Sequence, residues 1–261
     1  MRVRNLRFLA ILIAMPALAL TACTAPAPTS SAAPRTVAPS PAPTTGTGCP
    51  NPDGGTCRGA LKAGTYTSSS FVPALTYTVP DGWQNLEDLD GSFVLLPPGG
   101  SIEEYYKAKG DGITLLSDAY AARESCDFGP AAGVTRTPDG IVGYLRQRPS
   151  LHISEPQPVT VGGLTGLVVD MALVPENALA CLAPDRWDPA IFAQAGQQGV
   201  VAGPGENELL RLYLLDRSGK VTTVALDAYG GAQDPLLRYL TTIVDSISFA
   251  DGGSTSTALA R

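Results

Sequence analysis

The 261-residue chain has a single histidine, His152, and no run of basic residues, and these two absences remove many of the commoner chemistries. A Ser-His-Asp triad would have to recruit His152, and G-x-S-x-G, S-x-x-K and H-E-x-x-H are all missing. Leu151-His152-Ile153 reads as extended chain with His152 pointing away from its apolar neighbours, a solvated residue rather than a base. A formal charge of −6 without a basic patch makes a poor nucleic-acid binder. The twelve-position calcium loop with its closing glutamate is also absent, so Glu87-Asp88-Leu89-Asp90, the compact acidic cluster near an apolar run, reads as solvated turn carboxylates. Gly162-Gly163-x-x-Gly166 lacks the spacing of a phosphate-cradling loop and is followed by strand rather than helix. Neither a metal nor a cofactor is expected.

Cysteine is scarce, and its five positions organise the N-terminal half. Arg2, Arg4 and Arg7 precede an apolar stretch, Phe8 to Leu20, that is short for a membrane span and fits an export signal. It ends in Leu20-Thr21-Ala22-Cys23, which resembles the lipobox of bacterial lipoproteins. That resemblance implies cleavage of 1–22, a lipid on Cys23, and a chain held on the outer face of the cell membrane by acyl groups. Removing a signal with three arginines and no acid takes the formal charge from −6 to −9. Residues 23–48 are almost wholly Pro, Ala, Thr, Ser and Gly, a composition that cannot offset its ordering entropy. They predict a disordered tether with a span of roughly 25–30 Å, or up to about 75–80 Å if stiffened by proline. The other four cysteines, Cys49, Cys57, Cys126 and Cys181, form an even set in a disulfide-permissive compartment. Three connectivities are open; Cys49 with Cys57 and Cys126 with Cys181 is the favoured one. Their spacing is not C-x-x-C, which disfavours a metal site.

Residues 49–250 read as one domain, with a frayed tail over 251–261. The Val159–Val174 segment, VTVGGLTGLVVDMALV, predicts strand, glycine turn and strand, and its doubly apolar Leu167-Val168-Val169 predicts a central strand covered on both faces. Leu75–Val79 alternates as a half-buried strand ending at Pro80, with Trp83 as a core anchor beyond the turn. Further strands are expected over 91–96, 113–119, 209–215 and 221–226, the last two joined by Asp216-Arg217-Ser218-Gly219-Lys220. Helices are expected from the capping box at Ser101 to about Lys109, from Thr137-Pro138 to before Pro149, and from Asp234-Pro235 to Val244. Asp188-Pro189 suggests a further helix carrying Ile191 and Phe192, and 246–249 a short closing strand.

Strands arriving in hairpins with helices between them give an α+β fold, a largely antiparallel twisted sheet flanked by helices. Tyr77-Thr78-Val79-Pro80-Asp81-Gly82-Trp83, with Val159-Thr160-Val161-Gly162-Gly163-Leu164-x-Gly166 and Ile243-Val244-Asp245-Ser246-Ile247, resembles actinobacterial envelope lipoproteins with a PsbP/Mog1-like domain. The resemblance implies a fold used for binding and assembly, and it transfers no catalytic residue.

Three functions compete on this reading. The favoured one is a non-catalytic, monomeric interaction module for a membrane-protein or cell-wall partner. Next is a small-molecule or lipid carrier, which a cavity of several hundred Å3 would favour. Last is a hydrolase using carboxylates among Asp118, Asp170 and Asp227, all expected in strands. Replacing Cys23→Ser is expected to move the protein from the membrane to the soluble fraction on cell fractionation. Unchanged membrane attachment would refute the lipid anchor.

Overall fold

The computed structural model describes residues 59–107, 109–179, 186–195 and 198–250. The signal segment, Cys23, the tether, Cys49, Cys57, Cys181 and the tail lie outside them. Cys126 is described; it is exposed and disulfide-bonded, to a residue outside the described set.

In chain order the strands are β1 (Gly59–Ala60), β2 (Gly64–Thr67), β3 (Leu75–Val79), β4 (Gln84–Leu89) and β5 (Ser92–Leu96), followed by helix α1 (Ile102–Tyr106). Next come β6 (Gly112–Leu116), β7 (Tyr120–Ala121), helix α2 (Pro138–Leu145), β8 (Leu151–Ile153), β9 (Gln157–Val161) and β10 (Leu164–Leu173). The chain continues with β11 (Ile191–Ala195), β12 (Gln198–Ala202), β13 (Glu208–Arg217), β14 (Lys220–Tyr229), helix α3 (Gln233–Val244) and β15 (Ser248–Phe249). Among the described residues the named strands pair antiparallel, and a single parallel bridge joins Gly162 to Ser248 of β15. Nine strands form one sheet in the order β1-β4-β5-β6-β14-β13-β10-β8, with β9 beside β8 on the same edge of β10. Two three-stranded sheets, β15-β3-β2 and β12-β11-β7, complete an α+β fold.

The large sheet is apolar on both faces, and this dictates the layering. Tyr213, Leu215, Val224 and Leu226 point into one core, shared with β3, Trp83 and the Leu237, Leu240 and Ile243 stripe of α3. Leu210, Leu212, Leu214 and Ala225 point into the other, shared with Ile141 and Leu145 of α2 and Ile191 and Ala193 of β11. Alternate residues of one strand feed opposite cores, so both faces need a covering layer. On the first face β3 buries Leu75, Tyr77 and Val79. Its outward threonines bond across to β2, Thr76 to Thr67 at 3.1 Å and Thr78 to Thr65 at 2.9 Å. Trp83 is fully buried, and its Nε1 donates to the Tyr239 hydroxyl at 2.9 Å.

The predicted 159–174 hairpin is present, with Gly162 and Gly163 at φ 58° and 87° in its turn. Gly166, however, does not break the run. It lies inside β10, pressed onto the Leu214 carbonyl where a Cβ would collide. Nor is β10 central: it lies one strand from the edge, and the centre is the β13–β14 hairpin. Glu87 and Asp88 lie in β4, at a register shift between Asn85 and Glu87, and not in a solvated turn. Asp88 is buried because its carboxylate accepts backbone N–H groups of Ser69, Ser70 and Phe71 at 2.7, 3.0 and 2.8 Å. It gathers a loop that has no ladder of its own.

The caps at Ser101 and Thr137 form as expected, their hydroxyls accepting from Glu104 N and Gly140 N, but α1 ends at Tyr106. α3 begins at Gln233, with no side-chain cap, so Asp234 lies inside its first turn instead of capping it. Asp188-Pro189 leads into β11, not a helix. Ile191, Ala193 and Ala195 alternate inward at period two, and the Asp188 carboxylate is taken by Arg148. Arg148 and Asp188 are 4% and 0% exposed, and the guanidinium also donates to the Pro189 carbonyl at 2.5 Å. This pair locks the end of α2 to the start of β11. Replacing Arg148→Met strands a buried carboxylate and is expected to cost about 3–5 kcal/mol in urea unfolding, much of it recovered when Asp188→Leu is added. An Arg148→Met midpoint equal to wild type would refute the lock.

Candidate functional site

The β13–β14 turn, with Ser218 and Gly219 at φ 54° and 84°, fixes the register of the whole hairpin. At the far end this register sets Glu208 opposite Tyr229 and Leu210 opposite Asp227. Glu208, Asp227 and Tyr229 therefore share one face, with Thr114 of β6 beside them. The apolar face turns polar here. Glu208 is 3% exposed, and its Oε2 accepts from the Tyr229 hydroxyl and from Gly205 N, each at 2.6 Å. Its Oε1 is buried without a partner in the ionised form. A proton on that oxygen removes the cost of burying it as an anion, and the neighbouring Asp227 carboxyl acts in the same direction. Burial, then the charge of Asp227, holds the Glu208 carboxyl well above the usual carboxylate range. Burial pushes Asp227 up to about 6, against the hydrogen bonds from Glu208 and Thr114. Burial and mutual repulsion favour one proton held by the two carboxyls together.

Asp227 of this pair lines a cavity of about 380 Å3 between the large sheet and the elements over its second face. Its floor comes from Glu87, Ser92, Thr114, Asp227 and Tyr229. On one side stand Tyr105 and Tyr106 of α1, and on the other Phe128, Trp187 and the Gly199–Gly203 stretch containing most of β12. The walls are fixed from behind. The Tyr105 hydroxyl and Thr114 Oγ1 share a hydrogen bond of 2.7 Å, and Gly110 lets the turn after α1 close, since a Cβ there would press on the Tyr105 backbone. Burial, reinforced by Asp227, raises the Tyr105 phenol, so it stays neutral. Trp187 Nε1 donates to the Gly203 carbonyl at 2.6 Å, and Phe128 packs edge-on against its ring at 5.5 Å. At the floor, Ser92 donates to Glu87 at 2.7 Å.

The three aspartates considered for hydrolysis are not brought together. Asp118 lies outside the strands at φ 52°, near the turn end of the hairpin, against Arg217, Lys220 and Arg136. Burial pulls its carboxyl up, but these three cations outweigh it and hold it below the usual range. Asp170 faces the other core side and is gripped by Arg211 at 2.7 and 2.9 Å. Only Asp227 reaches the cavity. Its close neighbour Glu208 and the aromatic walls escaped the sequence reading. The first lay one residue beyond the predicted strand, and the second sit on separate elements. His152 is exposed on β8. Among the described residues no group of three or more His, Cys, Asp or Glu side chains could hold a metal ion.

No protein-family profile matches the chain, and no curated protein matches it. Among solved structures, cyanobacterial PsbP (CyanoP) from Synechocystis sp. PCC 6803 is similar at 11% identity, over 75% of this chain and 98% of that one, with a TM-score of 0.34.

Because both carboxyls titrate higher in the folded chain than in the unfolded one, the pair contributes stability that is complete below about pH 4 and is lost as pH rises through the folded values. Glu208→Gln keeps both acceptor bonds and replaces the shared proton with an amide donor. Urea unfolding from about pH 5 to about pH 8 is expected to show a flatter decline for Glu208→Gln than for wild type. Parallel profiles would refute the shared proton.

Proposed function

We propose that this is a non-catalytic, ligand-binding lipoprotein of the extracytoplasmic face of the cell membrane, anchored by lipid on Cys23 and carrying its cargo or signal molecule in the cavity beneath α1. The observation that supports it is that cavity, about 380 Å3, with a polar floor and aromatic walls. Its volume falls near the lower end of the roughly 300–1,000 Å3 of small-molecule sites. It moves the balance from a pure interaction module, the reading the sequence favoured, towards a small-molecule carrier.

Catalysis by paired acids fits the geometry less well. Glycoside hydrolysis places two carboxyls about 5–10 Å apart on either side of the bond to be cut. Of the neighbouring Glu208 and Asp227 only Asp227 lines the cavity, and the other carboxyl there, Glu87, is tied down on the floor by Ser92.

One observation favours a protein partner as well. Ile102 and Tyr106, one turn apart on α1, are 45% and 65% exposed, and Tyr106 stands at the cavity itself. A membrane protein docking there would meet the ligand site directly. The N-terminal resemblance to envelope lipoproteins supports the anchor, and the tether would set the reach.

Protein released gently from membranes should carry an extra mass in native mass spectrometry that disappears on denaturation. A bare mass, with no thermal shift on adding a concentrated extract of the growth medium, would return the weight to the interaction module.

A further inference from the structure

The charge of the cavity lining is one-sided. Two carboxylates, Glu87 and Asp227, reach it, and among the described residues that line it there is no lysine, arginine or histidine. Three other acids of this domain that are buried or half-buried have counter-cations: Asp188 has Arg148, Asp170 has Arg211, and Asp118 has three, while buried Asp88 is held by backbone N–H groups instead. Asp227 has none of these. The groups acting on it are Glu208, Thr114 and Asp111, two of them acids. Burying a carboxylate without a cation is unfavourable unless another group supplies the charge. Five aromatic side chains, Tyr105, Tyr106, Phe128, Trp187 and Tyr229, surround the same space. Aromatic faces attract cations, and walls of rings around a carboxylate suit a weakly hydrated ammonium group. A hollow of about 260 Å3 on the opposite face provides the contrast: its Asp170 is already neutralised by its own Arg211, and Tyr213 is its only ring.

We infer that the ligand of the cavity beneath α1 is a small organic cation, its ammonium head held at Asp227 and enclosed by the aromatic walls. This rests on the small-molecule reading of the cavity and names the class of molecule it takes. The cation supplies at Asp227 the counter-charge that the residues around it omit, and the second carboxylate of the floor, Glu87, adds to the negative potential that attracts it. The Ser92 hydroxyl at the floor, which donates to Glu87, keeps lone pairs to accept from a polar substituent.

Calorimetry on the full-length chain in a non-ionic detergent tests the assignment with three probes: choline, its uncharged isostere in which carbon replaces nitrogen, and a carboxylate of similar size. Choline is expected to bind at least about tenfold more tightly than the isostere, and the carboxylate not at all. Asp227→Asn, which keeps an oxygen for Thr114, is expected to abolish the preference for charge. Tyr106→Leu alters an exposed ring that the fold does not need, and is expected to weaken choline binding several-fold without changing the melting temperature. Equal binding of choline and isostere overturns the cation while leaving a small-molecule cavity intact. Tighter binding of the carboxylate overturns the electrostatic argument. No heat from any probe up to about 10 mM overturns this inference and counts against the small-molecule reading as well.

Discussion

The structure depends on one constraint: the β13–β14 hairpin is buried on both faces at once. Leu212 and Tyr213 are neighbours in sequence and belong to different cores. A hairpin of that kind cannot sit on the surface of a two-layer domain; it needs cover above and below. The cover differs on the two sides. On one, β3 and α3 supply large side chains and the packing closes around Trp83, Tyr77 and Phe93. On the other, α2 and the small β7–β11–β12 sheet supply alanines, leucines and isoleucines, and the end of β11 reaches the Gly91 turn between β4 and β5 without filling the space under α1. The cavity occupies the space that this second layer leaves.

The Arg148–Asp188 pair is a condition for that layer. β11 is a short strand, and its own sheet is too small to be stable alone. The buried guanidinium holds it by both the Asp188 carboxylate and the Pro189 carbonyl, fixing where β11 begins and so where Trp187 stands. One ion pair thus couples the helix under the sheet to an aromatic wall of the site. A second polar device, the Asp88 carboxylate gathering three N–H groups, does the same for a loop over the first face.

What the sequence made legible follows from how local each signal is. The Gly162-Gly163 turn, the Ser101 and Thr137 caps and the Leu75–Val79 alternation each span a few residues, and each appears where the pattern places it. The apolar runs 209–215 and 221–226 mark the β13–β14 strands but stop one residue short of Glu208 and of Asp227, whose polar side chains interrupt the apolar pattern. Counting outward from the Ser218-Gly219 turn would have set Glu208 opposite Tyr229 and put Asp227 on the same face. The 186–202 region was misjudged because Asp-Pro before apolar residues is a helix-start pattern, and only the distant Arg148 turns it to another use. Nothing within either stretch shows that Tyr105 and Trp187 face one cavity; that juxtaposition is set by the sheet order.

The two ends of the large sheet carry a further consequence. Among the described residues one edge is β1, with two residues, and the other is shared between β8 and β9, with Pro158 inside β9 and Pro156 just before it. Proline lacks the amide proton that a neighbouring strand would need, and a two-residue strand presents almost no ladder. The large sheet therefore gives another polypeptide little main chain to zip onto. Whatever protein meets this face of the molecule must be recognised by side chains and shape, and crowded copies have little opportunity to polymerise edge to edge.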